Sequence, residues 1–140
     1  MYSIKELATI TRLSDRTLRN YLESGILQGD KSTGMWRFTN EQVELFLQND
    51  SVKSAIQAKN RAIVTDFMAD THKKENAICM IWDLPETDAT AVMNFICNAV
   101  KGTNSLSMSF EKSEAKTRII LRGKEEEVYQ IMAAYHDQFH

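Results

Sequence analysis

Residues 14–27, SDRTLRNYLESGIL, decide how the first half of the chain is read. Ser14 is a good N-cap, and Asp15 suits the positive end of a helix. Leu18, Tyr21 and Leu22 recur at i, i+3 and i+4, which predicts a helix with one apolar stripe. Gly25 stands where such a helix stops. Arg16, Arg19, Asn20 and Glu23 follow i, i+3, i+4 and i+7 and lie away from that stripe. A helix that enters a DNA groove needs this division, with apolar residues to dock it and long donors pointing outward. A solvated helix would look the same, so the flanking segments must decide.

Upstream, Ser3-Ile4-Lys5-Glu6 has the form of a capping box and opens a short helix over residues 3–10. Thr11-Arg12-Leu13 is a brief connection. Downstream, Gly29-Asp30 and Ser32-Thr33-Gly34 are turn residues between strand-like Ile26-Leu27 and Met35 to Phe38, which predicts a small β-hairpin. Trp36 and Phe38 share one face of that strand, so Trp36 is expected to pack the hairpin rather than stack on a base. Thr39 to Gln42 is a second capping box, opening a helix with Val43, Phe46 and Leu47 inward. The order helix, turn, helix, hairpin, helix is that of a winged helix-turn-helix.

The stretch resembles the second-helix signature of the MerR family, in which a Ser is followed by Thr-Leu-Arg, an aromatic pair and Gly-Leu-Leu. Ser14, Thr17, Leu18, Arg19, Tyr21, Gly25 and Leu27 match it, and Asn20 stands where a second Tyr is usual. The hairpin GMWRFT is closer to the excisionase-like branch, with its Gly-x-Trp-Arg-Phe ending. The resemblance covers about residues 1–50. It implies double-stranded DNA binding, usually as a dimer on a pseudo-palindrome, with Arg19 on the DNA backbone and Arg37 in the wing near phosphate. The candidate DNA contacts are Arg16, Thr17, Arg19, Asn20 and Tyr21 on the helix and Lys31, Ser32, Thr33 and Arg37 on the hairpin.

Residues 50–74 read as a more polar helix. Val52, Ile56, Ile63 and Phe67 form a seam close to heptad spacing, interrupted near Lys59 and Asn60, so the helix is expected either to dimerise or to lie on its own domain. Beyond it the pattern changes. Residues 78–84 (ICMIWDL) read as a strand and 88–101 as a helix, which Gly102-Thr103-Asn104 stops. SLSMSF alternates strictly, EKSEAK is a hairpin loop, and TRIILR is the return strand. A last helix carries Val128, Ile131, Met132, Tyr135 and Phe139 on one stripe. The strand-helix-strand-strand part faintly resembles the half-module found twice in GyrI-like effector domains; here it occurs once, with an extra helix. Its sheet face opposite the helices would carry Ser105, Ser107, Ser109, Arg118, Ile120 and Arg122. Ser107, Ser109, Arg118 and Arg122 on that face are candidates for a ligand or dimer surface.

The expected fold is thus α+β, with a winged helix-turn-helix over 1–49, a helical linker over 50–75 and an assembly or effector-sensing domain over 76–140. In a chain of 140 residues with net charge −2, nothing approaches the roughly 20 apolar residues of a membrane span. The start MYSIKELATI lacks the form of a secretory signal. Cys79 and Cys97 lie in apolar runs, as free thiols in a reducing cytoplasm would. No metal-ligand spacing, cofactor loop or catalytic grouping is present, so neither cofactor, metal nor enzyme activity is expected. Met35, Met68, Met80, Met93, Met108 and Met132 read as core filler. Over residues 1–49, Lys5, Arg12, Arg16, Arg19, Lys31 and Arg37 balance Glu6, Asp15, Glu23, Asp30, Glu41 and Glu44. One copy should therefore hold DNA weakly, which favours a homodimer. The expected function is a sequence-specific regulator, with a small-molecule effector as a further partner. The competing readings are a protein-interaction adaptor with a C-terminal oligomerisation module, and a recombination directionality factor.

Overall fold

In the computed structural model, which describes residues 1–85, 88–101, 106–113 and 116–139, helices and strands follow that order. The elements are α1 (Ile4–Thr11), α2 (Asp15–Ser24), α3 (Asn40–Gln48), α4 (Asp50–Ala69), β1 (Ala77–Pro85), α5 (Ala89–Lys101), β2 (Ser107–Lys112), β3 (Lys116–Lys124) and α6 (Glu125–Phe139). The fold is mixed α+β. Ser3, Ser14 and Thr39 are the N-caps of α1, α2 and α3, and the boxes at Ser3–Glu6 and Thr39–Gln42 are both closed. The expected stop at Gly102-Thr103-Asn104 lies outside the described residues, as does Ser105. α4 ends at Ala69, five residues short of the expected 74. There the Asp70 main chain turns extended, and its amide bonds back to the Asp66 carbonyl.

The three strands form an antiparallel sheet in the order β1-β3-β2. Ile81 lies opposite Ile120, which in turn lies opposite Ser109. One face, carrying Met80, Trp82, Ile119, Leu121, Met108 and Phe110, is covered by α5 and α6. Tyr135 of α6 meets Trp82 edge-on at 4.5 Å and Phe95 of α5 at 6.1 Å.

The opposite face corrects an expectation. It is not open: α4 lies across it and buries Ser109 and Ile120. Strict alternation in SLSMSF put its serines on the face read as a ligand or dimer surface, but α4 reaches that face through Val52, Ile56, Asn60 and Ile63, all buried. Asn60, where the apolar seam is interrupted, donates from Nδ2 to Glu111 Oε2 at 3.0 Å, and Gln57 donates to Oε1 at 2.9 Å. Arg118 and Arg122 are only half-buried. Arg118 is bound to Asp83, and the Arg122 guanidinium lies 5.6 Å from the Phe67 ring.

The core runs through both halves. Leu7, Ile10, Leu18, Phe38 and Phe46 belong to the same apolar cluster as Met93, Ile96, Phe110, Ile119 and Leu121. Each such side chain contributes about 1.5–3 kcal/mol on burial. The first 48 residues meet the rest through α1, which packs on β2 and α5, and through α3, which packs on α4 and β2. Polar ties flank that seam. Glu6 binds Lys101 at 2.8 Å, Glu44 accepts from Thr90 at 2.7 Å and meets Lys112 at 3.5 Å, and the Tyr2 hydroxyl donates to Asn94 Oδ1. Not every methionine is filler: Met93 and Met108 are buried and Met80 half-buried, but Met35, Met68 and Met132 are exposed.

Candidate nucleic-acid interface

α1 and α2 meet through a tight turn. Arg12 ends α1 in the left-handed conformation, φ 64°. The buried Thr11 hydroxyl donates to the Leu7 carbonyl at 2.7 Å and accepts from the Leu13 amide at 3.2 Å, so the hydroxyl and that amide satisfy each other inside the turn. Ser14 then caps α2, accepting from the Thr17 amide at 3.0 Å and donating to Thr17 Oγ1 at 2.9 Å. Leu18 is fully buried, and Tyr21 packs edge-on against Phe46 of α3 at 5.4 Å. These contacts fix how α2 is rotated. Arg16, Arg19, Asn20 and Glu23 are left exposed on its outer side. Gly25 closes the helix at φ 83°, which only glycine adopts without strain.

Two of the candidate contacts have structural duties. Thr17 is half-buried in the cap, and the Tyr21 ring docks α2 onto α3. Arg19 is held by Asp15, Nε to Oδ2 at 2.7 Å, with both side chains more than half exposed. An exposed pair of this kind is worth about 0–1 kcal/mol, so a phosphate can compete for the guanidinium.

The hairpin is smaller than expected. It has no regular strand, only single bridges of Asp30 with Arg37 and of Tyr2 with Phe38. The chain start thus supplies the wing's third segment. Gly29 is required at its base, since a Cβ there would lie 2.5 Å from the Phe38 ring, which is fully buried. Trp36 stacks on Phe38 at 6.2 Å, as their shared parity suggested. The tip is organised by Asp30, whose carboxylate accepts from the Ser32 amide and hydroxyl, both at 2.9 Å. Those bonds hold its pKa below the ordinary value. Ser32 is thereby turned inward onto Asp30. The Lys31 ammonium lies over Trp36 at 5.7 Å, Thr33 is exposed, and Arg37 is half-buried.

Residues 2–48 match the family described as MerR HTH family regulatory protein. This segment is a MerR-like helix-turn-helix, of the kind found in DNA-binding transcription regulators. The match ends at residue 48 and lends nothing to the GyrI-like resemblance of the later residues. No curated protein and no solved structure matches the chain. Among the described residues no helix is long and apolar enough to cross a membrane, and no three His, Cys, Asp or Glu side chains are grouped to hold a metal.

Within the MerR-like unit the structure brings together Arg16, Arg19 and Asn20 on one helix face, and Lys31, Ser32 and Arg37 around Asp30 and Trp36. Arg12 was not singled out from the sequence. It is exposed, in the turn that leads into α2. An arginine in a short connection carries no periodic signal, so nothing local could have separated it from an ordinary linker residue.

Proposed function

We propose that the chain reads double-stranded DNA by sequence, with α2 in the major groove and the residue 30–37 wing against the backbone. The observation that carries this is the rotation of α2. Buried Leu18 and the Tyr21–Phe46 contact turn Arg16, Arg19 and Asn20 outward as a group. Arginine can pair with guanine and asparagine with adenine, and both can hold phosphates. The Trp36-Arg37-Phe38 wing supports an excisionase-like variant of the MerR-like reader. In this reading residues 1–49 bind DNA in the cytoplasm, 50–75 connect, and 76–140 assemble two copies. For a small effector this reading assigns the cavity of about 490 Å³ between α4 and the sheet, whose lining includes Asn60, Arg61, Glu111 and Arg118.

Selection of bound duplexes from a random pool, at low and at physiological salt, tests this. An enriched two-fold motif is expected, and Arg16→Ala with Arg19→Ala should abolish retention while leaving the circular dichroism unchanged. Retention unaltered by that double substitution would overturn the assignment of the face. The balanced charge of residues 1–49 favours a second reading, a protein-interaction adaptor, and absence of any enrichment by the folded chain would select it.

A further inference from the structure

β3 is paired on both sides, and β2 is flanked by α1. Among the described residues no strand pairs with the outer edge of β1. That edge is nine residues long, and its one charged residue, Asp83, is already held by Arg118 at 2.7 Å and Lys116 at 3.3 Å. Edges of this length are normally blunted by lysine, proline or a bulge, because their free amides and carbonyls recruit other strands; here Pro85 is the last residue of the strand and removes one outward donor at its end only. Apolar side chains flank it as well. Ile81 is 55% exposed, and Tyr129 and Met132 on α6 are 70% and 39% exposed. Tyr129 and Met132 separate two clefts of about 1020 and 690 Å³ that run along β1.

We propose that this edge joins two copies of the chain, β1 pairing antiparallel with its counterpart about a two-fold axis through Ile81. The inference rests on the two-copy reading above and gives it a surface.

The strand is self-complementary in that register. The Glu125 amide donates to the Asn76 carbonyl at 3.0 Å, one step beyond the Ala77–Lys124 pair. Alternation then turns the main-chain groups of Ile78, Met80 and Trp82 toward β3, and those of Cys79, Ile81 and Asp83 outward. Ile81 is the midpoint of the strand, so its outward groups meet their own copies. Cys79 falls opposite Asp83 of the second copy. On the helix-covered face Met80 falls opposite Trp82 and Ile78 opposite Leu84, so apolar residues meet apolar ones at each step. On the other face the rows read Glu111, Arg118, Asp83, then Cys79 and Arg122 of the second copy. The small Cys79 lets Asp83 lie between arginines of both copies, and no like charges are opposed.

α6 completes the surface. It lies over β1 and β3, so the axis sets the two α6 helices side by side, and Tyr129 and Met132 of each copy fill the clefts beside the other's β1. A strand ladder alone is too small for a stable dimer, and these side chains supply the apolar core that such interfaces need. The continuous six-stranded sheet puts the β2 strands about 24 Å apart, with the DNA-reading units outboard at opposite ends.

Sedimentation equilibrium of the full chain without DNA, at micromolar concentration, tests the proposal. A dimer is expected. Ile81→Lys should weaken it roughly tenfold or more by facing two cations across the axis, with thermal stability of the monomer retained because Ile81 lies outside the core. Ile81→Cys should form a disulfide between copies on mild oxidation, since directly opposed residues of a hydrogen-bonded pair have Cα atoms about 5.5 Å apart. Met68→Cys, still more exposed but on α4, should not. A monomeric wild-type chain overturns the interface. So does a dimer that Ile81→Lys leaves unchanged and Ile81→Cys does not cross-link. A monomer that still retains selected duplexes sinks this interface and leaves the DNA reader standing. A cross-linked dimer that retains none does the reverse.

Discussion

Asp15→Asn should move stability and DNA affinity in opposite directions. Asp15 sits in the first turn of α2 and holds Arg19 at 2.7 Å. Its loss forfeits an exposed i,i+4 pair worth about 0.3–0.5 kcal/mol and a favourable charge at the helix N-terminus worth about 0.3–1 kcal/mol. The Ser14 cap remains, so the total cost is about 1 kcal/mol, a fall in Tm of about 2–4 °C for a chain of this size. On DNA the signs reverse. If the Arg19 face lies on the duplex, Asp15 stands within about 7 Å of phosphate and repels it by about 0.6 kcal/mol in a water-like medium. The freed guanidinium adds the strength of the lost pair. The sum, about 1 kcal/mol, is a gain of about fivefold at low salt, shrinking as the Debye length falls. Fluorescence anisotropy on a labelled duplex from the selection, at two salt concentrations, reads it. Unchanged or weaker binding by a folded Asp15→Asn chain would refute the reasoning that Asp15 and the DNA compete for Arg19.

Gly29→Ala should lower stability by about 1–3 kcal/mol, because its Cβ would lie 2.5 Å from a Phe38 ring with no room to retreat; chemical denaturation measures it. Ser109→Ala should be neutral or stabilising by up to about 1 kcal/mol, since the buried Oγ has no hydrogen-bond partner among the described residues, and a clear loss in the same assay would show that the hydroxyl is satisfied after all. Hydrogen bonds from Arg118 hold the Asp83 carboxyl down to about 2, against 3.8 unperturbed. Its contribution is therefore complete above pH 3.8 and lost as pH falls toward 2, and Asp83→Asn should flatten that part of a stability–pH curve. Burial first, then the neighbouring Glu6, pushes the Cys97 thiol up to about 11. Maleimide at pH 8 should label half-buried Cys79 well before Cys97; equal rates would show that α5 opens readily.

The elements that sequence reading located well are those with local causes. Ser3, Ser14 and Thr39 announce helix starts by side-chain chemistry that acts within three residues, and Leu18 lies on a stripe of helical period. The wing was overestimated for a related reason. Its residues are strand-like, but with turn chemistry at both ends too few remain to build a ladder, and the partner of Phe38 is Tyr2, 36 positions upstream. The burial of Ser109 was illegible because alternation reports one face of a strand and says nothing of what a distant helix lays on the other. Asn60 carried the missing signal. A polar residue interrupting an apolar seam is often a buried group with a partner, and here the partner is Glu111, 51 residues away. On α2 the sequence identified the exposed donors but not their restraints. The Tyr21–Phe46 contact depends on α3, and no spacing within α2 could show it.

How the MerR-like unit is held matters as much as what it presents. Tyr2 is hydrogen-bonded through its main chain to Phe38 at the wing base and through its hydroxyl to Asn94 on α5. Glu6 sits on the same seam. Burial pushes its carboxyl up, but the hydrogen bond from Lys101 and the Ser3 cap more than offset this and leave its pKa lowered. Glu44, on α3, ties to both Thr90 and Lys112. Wing, α1 and α3 are thus each fastened to α5 or β2 by a separate polar contact around a shared apolar core. A displacement of α5 relative to β2 would strain all three at once, and packed interfaces yield to such strain by switching arrangement rather than by stretching. If two copies join along β1, the orientation of each reader is set by the same sheet that sets the distance between them. Spacing and angle on the DNA would then change together, through the seam lined by Tyr2, Glu6 and Glu44.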